Sequence, residues 1–534
     1  MKRRMSILLA LVLLLCFATG AFAEKNRLCA ESPVEYTVAV TTMSGNGDPN
    51  ESEWLLALAK ETNVKLNFIV IPDEVKTERT NLLLMGNMPD AFMTTLIDQS
   101  TANQLGLEGT LVPLEELIAA HAPNIQKMLD ENPTIRAQAT ASDGHIYALP
   151  KVDAIAGKYQ TVATEMFINT QWLEKVGKQI PTTTDELYDV LKAFAETDLG
   201  EGTEGKIPLG FDYVTYDFGC MLPGAFGVVN SVKDYLYYDA DAELGENYRV
   251  SCTDESYAQW LRFMHKLYAE KLLDQDVFVQ DRATEMSKAA AGNYGVFVGW
   301  GGWNEVGLKN LTDGSADYQG IYHVVPVLAG PDGQKQCKTN FNGGATLSVL
   351  CVTEKCADPT ALIKLIDLFY DQEDDLGIQA LYGPVGFNLY VDEAGVYRFL
   401  PTPEGTTYTN FRWTQTFNFF PLWTGEITGQ KLALNANQTW KTKIDAEQGY
   451  IAAAAANKAA PTLSFTEEEQ AELSMLETDL ENQVRQYRAQ AITGEKDIDA
   501  TWDAYVANVQ RLQADRVAQI YNAAYVRLMS LLEK

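Results

Sequence analysis

Apolar and polar positions alternate with a period of two over residues 34–40, which predicts a strand. A polar loop over 41–50 follows, and then the period lengthens. Between 51 and 62, Trp54, Leu55, Leu58 and Ala59 fall on one face of a helix. Residues 64–71 predict a second strand, 78–85 a helix closed by Gly86, and 89–94 a short third strand. A β-α-β-α-β run of this kind predicts a parallel sheet with helical crossovers. Ligands on such sheets lie beyond the strand C-termini, where the connecting loops gather. In this chain those loops are 43–48 and 94–100.

Further along, 144–149 and 162–169 predict strands and 170–176 a helix. The run Thr182-Thr183-Thr184-Asp185-Glu186 caps a helix that ends near Glu196. Helices are predicted at 254–271 and 282–291, a buried strand at 295–300, and strands at 322–328 and 345–352. Residues 359–370 form a strongly apolar helical stretch, and 466–532 predict an almost wholly helical end. The fold class is therefore α/β with an added helical region.

The chain opens with Lys2, Arg3 and Arg4, an apolar run over 7–16, and Ala21-Phe22-Ala23. This is the layout of a secretory signal peptide, residues 1–23, cleaved after Ala23. The apolar run is shorter than the roughly 20 residues that a bilayer span needs. Cys16 also raises lipidation, although Leu15 stands where lipoprotein signals want a small residue. The mature chain is expected in the cell envelope, at the extracellular face of the membrane or in a periplasm. An exported compartment permits disulfides. Cys351 with Cys356, Cys337 with Cys351, or buried free thiols are all compatible with the spacing.

Charge narrows the function. The 534 residues carry 42 Lys and Arg against 72 Asp and Glu, a net −30. Such a surface repels phosphate backbones, so no nucleic-acid partner is expected. There are four histidines, too few for His-rich metal sites. No P-loop, dinucleotide fingerprint, zinc-protease motif or nucleophile elbow occurs. Two acidic loops begin like calcium loops, at Asp239 and Asp198, but their twelfth positions are Val250 and Leu209. The expectation is no catalytic residue, no metal and no cofactor. An exported glycoside hydrolase stays open as the rival class, because abundant acids always offer carboxylate pairs.

Aromatic residues among glycines suggest a binding surface. Trp300, Trp303 and Asn304 follow the predicted buried strand within Gly299-Trp300-Gly301-Gly302-Trp303-Asn304. An uncovered indole is costly unless something stacks on it, and a sugar ring offers an apolar face with a polar rim. The competing reading is that both indoles are core. Trp413, within the aromatic stretch 411–423, is a further candidate, although core packing suits most of that stretch better. Opposite them, the strand-end loops offer Thr94, Thr95 and Asp98, and Ser44, Asn46 and Asp48, as groups for hydroxyls.

Several segments carry a family resemblance. They are RTNLLLMGNMPDAF (79–92), LVPLEEL (111–117), DGHIYALP (143–150), FINTQWLEKVGKQIPTTTDELYDVL (167–191), Gly330-Pro331-Asp332-Gly333, residues 356–370, and ITGEKDIDATW (492–502). Together they resemble the family 1 extracellular solute-binding proteins of carbohydrate ABC transporters, in a long lipoprotein-like subgroup. The resemblance implies a two-lobed fold of the second periplasmic-binding class with hinge-linked lobes. The first lobe would take 24–157 and 325–381, the second 158–324 and 382–534 with the C-terminal helices. The resemblance further implies a monomer that binds a carbohydrate, an oligosaccharide, in the cleft and passes it to membrane permease subunits. The Trp300/Trp303 segment looks like the tryptophan-bearing segment that lines the cleft in maltose-binding relatives. Many relatives carry a calcium loop just before the Ile-Pro matched by Ile207-Pro208. Here Gly200 and Gly202 stand where ligating side chains would sit.

Overall fold

The computed structural model describes residues 27–42, 47–153, 165–200, 205–211, 222–228, 231–299, 322–337, 344–403, 411–416, 420–425, 431–432, 450 and 459–533. Four strands come first: β1 (Val34–Thr42), β2 (Val64–Pro72), β3 (Ala91–Met93) and β4 (Ala148–Asp153). β5 (Glu165–Asn169) and β6 (Ile207–Gly210) begin a second sheet. β7 (Ser231–Lys233), β8 (Leu236–Tyr238) and β9 (Tyr248–Val250) form a small antiparallel meander. β10 (Tyr294–Gly299) and β11 (Tyr322–Val324) complete the second sheet. β12 (Ala345–Val352) returns to the first, β13 (Leu389–Val391) and β14 (Tyr397–Phe399) make a hairpin, and β15 (Trp423–Thr424) forms the first sheet's far edge.

The first sheet has the order β15-β4-β12-β3-β1-β2 and the second β11-β5-β10-β6. In the first, β12 alone runs antiparallel to its neighbours. The C-terminal ends of the other five strands therefore share one edge with the start of β12. In the second, β5 runs against β10 and β11, while β6 runs with β10. The ends of β6, β10 and β11 thus share an edge with the start of β5. The chain leaves the first sheet at Asp153, enters the second at Glu165, and returns from Val324 to Ala345. Both crossings therefore leave from and arrive at those two edges.

Local chemistry explains the elements. Ser52 accepts from the Leu55 N–H to start the helix Glu53–Thr62, and Asn63 ends it in the left-handed conformation at φ 58°. That turn feeds β2 alongside β1 in a continuous parallel register from Val34↔Val64 to Thr42↔Pro72. The helix Thr360–Asp367 buries Leu362, Ile363, Leu365 and Ile366. Full burial of each such side chain contributes about 1.5–3 kcal/mol.

Two large apolar cores result among the described residues, with a smaller cluster beside each, around Phe92 and around Phe297. One gathers Val38, Val40, Leu149, Leu350, Ile366 and Phe369 around the first sheet. The other gathers Met166, Ile168, Phe194, Trp260, Val296 and Val298 around the second. Three helices, Glu467–Thr493, Ile498–Arg511 and Ala514–Leu532, extend the second core through Leu480, Val484 and Val517. The first of them opens with a capping box between Thr466 and Glu469. The architecture is a two-lobed α/β fold with a C-terminal helical region.

The chain leading into these helices also ties the lobes together. Thr462 N–H donates to Gln138 Oε1 at 2.8 Å, Ser464 Oγ to the Thr140 carbonyl at 2.8 Å, and Asn103 Nδ2 to Ser464 Oγ at 2.8 Å.

Some packing differs from expectation. Val325, Val327, Leu328 and Cys337 lie in the second core, because the chain after β11 stays on that sheet and Val325 N–H donates to the Met166 carbonyl. Tyr382, Leu389, Tyr397, Phe420, Leu422 and Trp423 pack in the first core rather than the second, where β15 pairs with β4. The strand expected at 144–149 begins later, at Ala148, because Gly144 (φ 93°) turns the chain and Ala141 N–H bonds the His145 carbonyl. Cys29, Cys252, Cys337, Cys351 and Cys356 are buried free thiols, so neither of the spaced pairs forms a disulfide.

Candidate functional site

The end of β3 holds an unusual backbone. Thr94 and Thr95 sit in the left-handed region at φ 63° and 61°, and Ser348 joins them at φ 57°. A β-branched residue there costs roughly 1–2 kcal/mol, a strain seen mostly at functional sites. Surrounding bonds hold it in place. Thr41 N–H donates to Thr94 Oγ1 at 2.7 Å, and Thr94 N–H to the Val349 carbonyl at 3.0 Å. Ser348 lies where the β12–β4 register shifts, and its hydroxyl donates to the Ile97 carbonyl at 2.6 Å. The end of β1 and the loop after β3 are thereby stitched to β12.

Two candidate carboxylates have structural duties. Asp98 caps the helix Gln99–Leu107, accepting from the Thr101 N–H at 2.8 Å. Asp48 accepts from the Asn50 N–H and side-chain amide, both at 2.9 Å. Both residues are exposed.

Gly47 N–H donates to the Trp413 carbonyl at 3.1 Å, and Ser52 Oγ to the Gln415 carbonyl at 2.6 Å. A Cβ at Gly47 would meet Thr414 Cα at 2.9 Å, so glycine permits this close approach. Trp413 is thus brought beside the loop after β1. Its indole is only 7 % exposed, with the Arg412 guanidinium 3.7 Å from the ring centroid. Ser44, Asn46, Trp300, Trp303 and Asn304 lie outside the described residues. Gly299, the residue before Trp300, ends β10 on the edge that faces the crossings.

The same edges carry charged groups that sequence reasoning missed. Lys151 and Asp153 share one face of β4, and both are buried. Burial pulls the Lys151 ammonium below its ordinary range, Asp153 opposes this, and Arg412 adds to it. Thr424 Oγ1 donates to Asp153 Oδ1 at 3.0 Å. Across the first crossing, Glu165 is fully buried opposite Gly299. Its charge reaches the buried Tyr450, whose hydroxyl donates to the Val325 carbonyl. The signal in the sequence was a lysine and an aspartate inside the apolar run that begins at Ile146, since buried charges rarely occur without partners.

Comparison with known proteins decides the family. Residues 47–374 match the family described as bacterial extracellular solute-binding protein. The chain belongs to this family. This solute-binding protein is 27% identical over 476 residues to the fructooligosaccharide ABC transporter substrate-binding protein FusA of Streptococcus pneumoniae serotype 4, covering 87% of this chain and 85% of that one. The structure of S. pneumoniae FusA in complex with kestose superposes with a TM-score of 0.80 at 25% identity, over 93% of this chain and all of that one. A FusA EF-hand mutant in complex with fructo-nystose gives the same TM-score of 0.80 at 24% identity, again over 93% of this chain and all of that one. The family is one of binding proteins rather than enzymes, and its members are exported to the cell envelope. Among the described residues, no helix of the solute-binding protein is long and apolar enough to cross a membrane.

Proposed function

We propose that the protein captures an oligosaccharide between its two lobes and presents it to the permease of an ABC transporter. Similarity to a fructooligosaccharide-binding protein along nearly the whole chain carries this reading. The strained Thr94–Thr95 corner supports it, because it stands at strand ends where parallel sheets place ligands. Lobe closure supplies the mechanism. A ligand that bonds both lobes binds the closed form better, so it shifts the population toward that form. A permease that reads the closed form then distinguishes loaded from empty protein.

In this reading Trp300 and Trp303 stack on sugar rings from the second lobe. Asn304, Thr95, Asp98, Ser44, Asn46 and Asp48 bind hydroxyls, while Thr94, buried with its hydroxyl committed to the Thr41 N–H and the Met93 carbonyl, holds the corner rather than the ligand, and Trp413 supports the loop after β1. The protein acts as a monomer, at the extracellular face of the membrane or in a periplasm.

The test is a thermal-shift screen of the mature protein against neutral oligosaccharides, kestose and nystose first. A ligand at about 100 times its dissociation constant stabilises by about 2.7 kcal/mol. A flat response across the panel, or repeated release of new reducing ends from it, would overturn the proposal.

A further inference from the structure

The outer flank of the first lobe carries apolar surface that neither core uses. Ile69, Val75, Leu82 and Met85 are all exposed, Met85 at 80 %, and no other stretch of this length among the described residues exposes as many large hydrophobic side chains. Ile69 lies near the end of β2, and the helix Lys76–Met85 runs back beside that strand. A groove of about 420 Å³ lies between them, lined by Ile69, Val70 and Pro72 on the strand and by Arg79, Leu82 and Gly86 on the helix side. Contiguous exposed apolar surface rimmed by polar groups marks interaction sites.

The charge here differs from the rest of the chain. Residues 79–89 contain no Asp or Glu, in a protein with 72 acids. Lys76 is held by Asp73 at 2.8 Å, whereas Arg79 is exposed and makes no ion pair or hydrogen bond among the described residues. Arg79, Leu82 and Met85 follow three residues apart, so each is the next one's neighbour on the helix surface. This surface suits an apolar segment that brings a carboxylate of its own.

Its place in the fold says which partner would use it. β2 is the strand of the first sheet furthest from β4 and β12, where the crossings to the second lobe leave and arrive. In a rotation about those crossings, displacement grows with distance from them. Lobe closure therefore moves this flank, relative to the second lobe, more than any other strand end of the first sheet. We propose that this flank is the first lobe's docking surface for the permease, an inference that rests on the transport reading above. An apolar permease segment fills the groove, and a carboxylate beside it pairs with Arg79. A partner seated there that also touches the second lobe meets both surfaces in only one lobe arrangement. A second copy of the chain is a poor occupant. Joining two sheets edge to edge needs the free side of β2, and Asn50 blocks it: the Phe68 N–H donates to Asn50 Oδ1 at 2.8 Å and Asn50 Nδ2 to the Phe68 carbonyl at 3.0 Å. An anionic bilayer is repelled by the net charge of −30.

The experiment places the photo-reactive residue p-benzoylphenylalanine at Leu82 or Met85 of the full-length protein, in cells that make the unaltered transporter. Met475, exposed on the helix Glu467–Thr493, serves as the control position. The expected result is an adduct from Leu82 and Met85, identified by mass spectrometry as a membrane-spanning subunit of an ABC transporter, with none from Met475. Adding Arg79→Glu to the Met85 probe should cut that adduct at least about tenfold by placing like charges together. The same change should leave the melting temperature within about 2 °C, as for a surface substitution. Adducts with a second copy of the chain or with lipid alone, no adduct, or an adduct indifferent to Arg79→Glu would each overturn the proposal. The thermal-shift screen separates the two failures. A protein that responds to oligosaccharides but gives no permease adduct from these positions refutes this docking surface alone, whereas a flat screen refutes the transport reading itself.

Discussion

The hydroxyl of Thr94 accepts the backbone N–H of Thr41 at 2.7 Å, joining the end of β1 to the loop after β3. The same oxygen donates to the Met93 carbonyl at 2.6 Å. Thr94 is 1 % exposed, so nothing from solvent can replace it. Thr94→Val keeps the shape and leaves the half-buried Thr41 N–H without its acceptor, which should cost about 1 kcal/mol. Thr94→Ser keeps the oxygen and should retain most of the stability. Chemical denaturation of both variants measures the difference, and equal losses would show that the hydroxyl is not what joins β1 to the loop after β3.

Thr95 should separate stability from binding. Asparagine tolerates the left-handed region better than a β-branched residue does, so Thr95→Asn should stabilise the protein by about 1 kcal/mol. If the strained threonine serves the ligand, affinity should fall in the same variant. A variant that is both more stable and an undiminished binder would assign the strain no part in recognition.

The indoles after β10 make a matching pair of forecasts. A Trp300 or Trp303 ring that stacks on sugar should cost on the order of 2 kcal/mol of binding when truncated to alanine, with the fold little affected. A ring buried in the core should instead cost about 3–5 kcal/mol of stability and leave affinity nearly intact in protein that stays folded. Melting temperature and affinity measured on Trp300→Ala and Trp303→Ala distinguish the two.

Asp367 gives a pH dependence with a definite sign. Its carboxylate accepts the N–H groups of Asn124 and Ile125 at 2.9 and 2.8 Å, yet burial outweighs them and raises its pKa to about 6. An aspartate in the unfolded chain titrates near 3.9, roughly. The folded state therefore binds this proton more tightly. The resulting stability is fully present below about pH 4 and is lost as pH rises through about 6. Asp367→Asn keeps an oxygen for the two backbone donors and carries no charge. Relative to the unaltered protein it should gain up to about 2 kcal/mol between pH 4.5 and pH 7.5. Urea denaturation at those two pH values is the measurement, and a constant difference would refute the assignment.

Legibility in the sequence followed periodicity. β1 and β2 show period-two alternation, β10 and β12 are short apolar runs of buried-strand length, and the helix Thr170–Val176 is closed by a glycine, so their positions could be read directly. The helices Glu115–His121, Pro123–Glu131 and Pro133–Ala139 are short and interrupted by prolines that begin the next turn, which blurs the period. β15 is two residues long and exists only because β4 offers an edge to Trp423 and Thr424, a long-range fact with no local signal. At the site, the loops at strand ends were legible from topology alone. The left-handed backbone at Thr94 and Thr95 was not, because no glycine marks it and tertiary bonds impose it. The capping role of Asp98 was not legible either, because it depends on where the next helix starts.

Charge at the strand ends makes a last forecast about the ligand. Three described cations lie there, and each is already engaged. Lys76 Nζ meets Asp73 Oδ1 at 2.8 Å, Asp153 supports the Lys151 ammonium, and Arg412 lies 3.7 Å over the Trp413 ring while donating to the Leu381 carbonyl. The acids Asp48, Asp98 and Glu165 stand on the same edges. A uronate would have to take Lys151 from Asp153, and separating that buried charge pair is costly, whereas the half-exposed Lys76–Asp73 pair is weak and offers little to a ligand. Its approach is opposed as well by the chain's net charge of −30. Trigalacturonate should therefore bind at least about 100-fold more weakly than a neutral trisaccharide of the preferred kind, a difference of about 2.7 kcal/mol. Raising the salt concentration should narrow the gap by screening the long-range repulsion. Titration calorimetry at low and high salt reads both quantities. Tight uronate binding that weakens with salt would mean that the cations at these strand ends are released to the ligand after all.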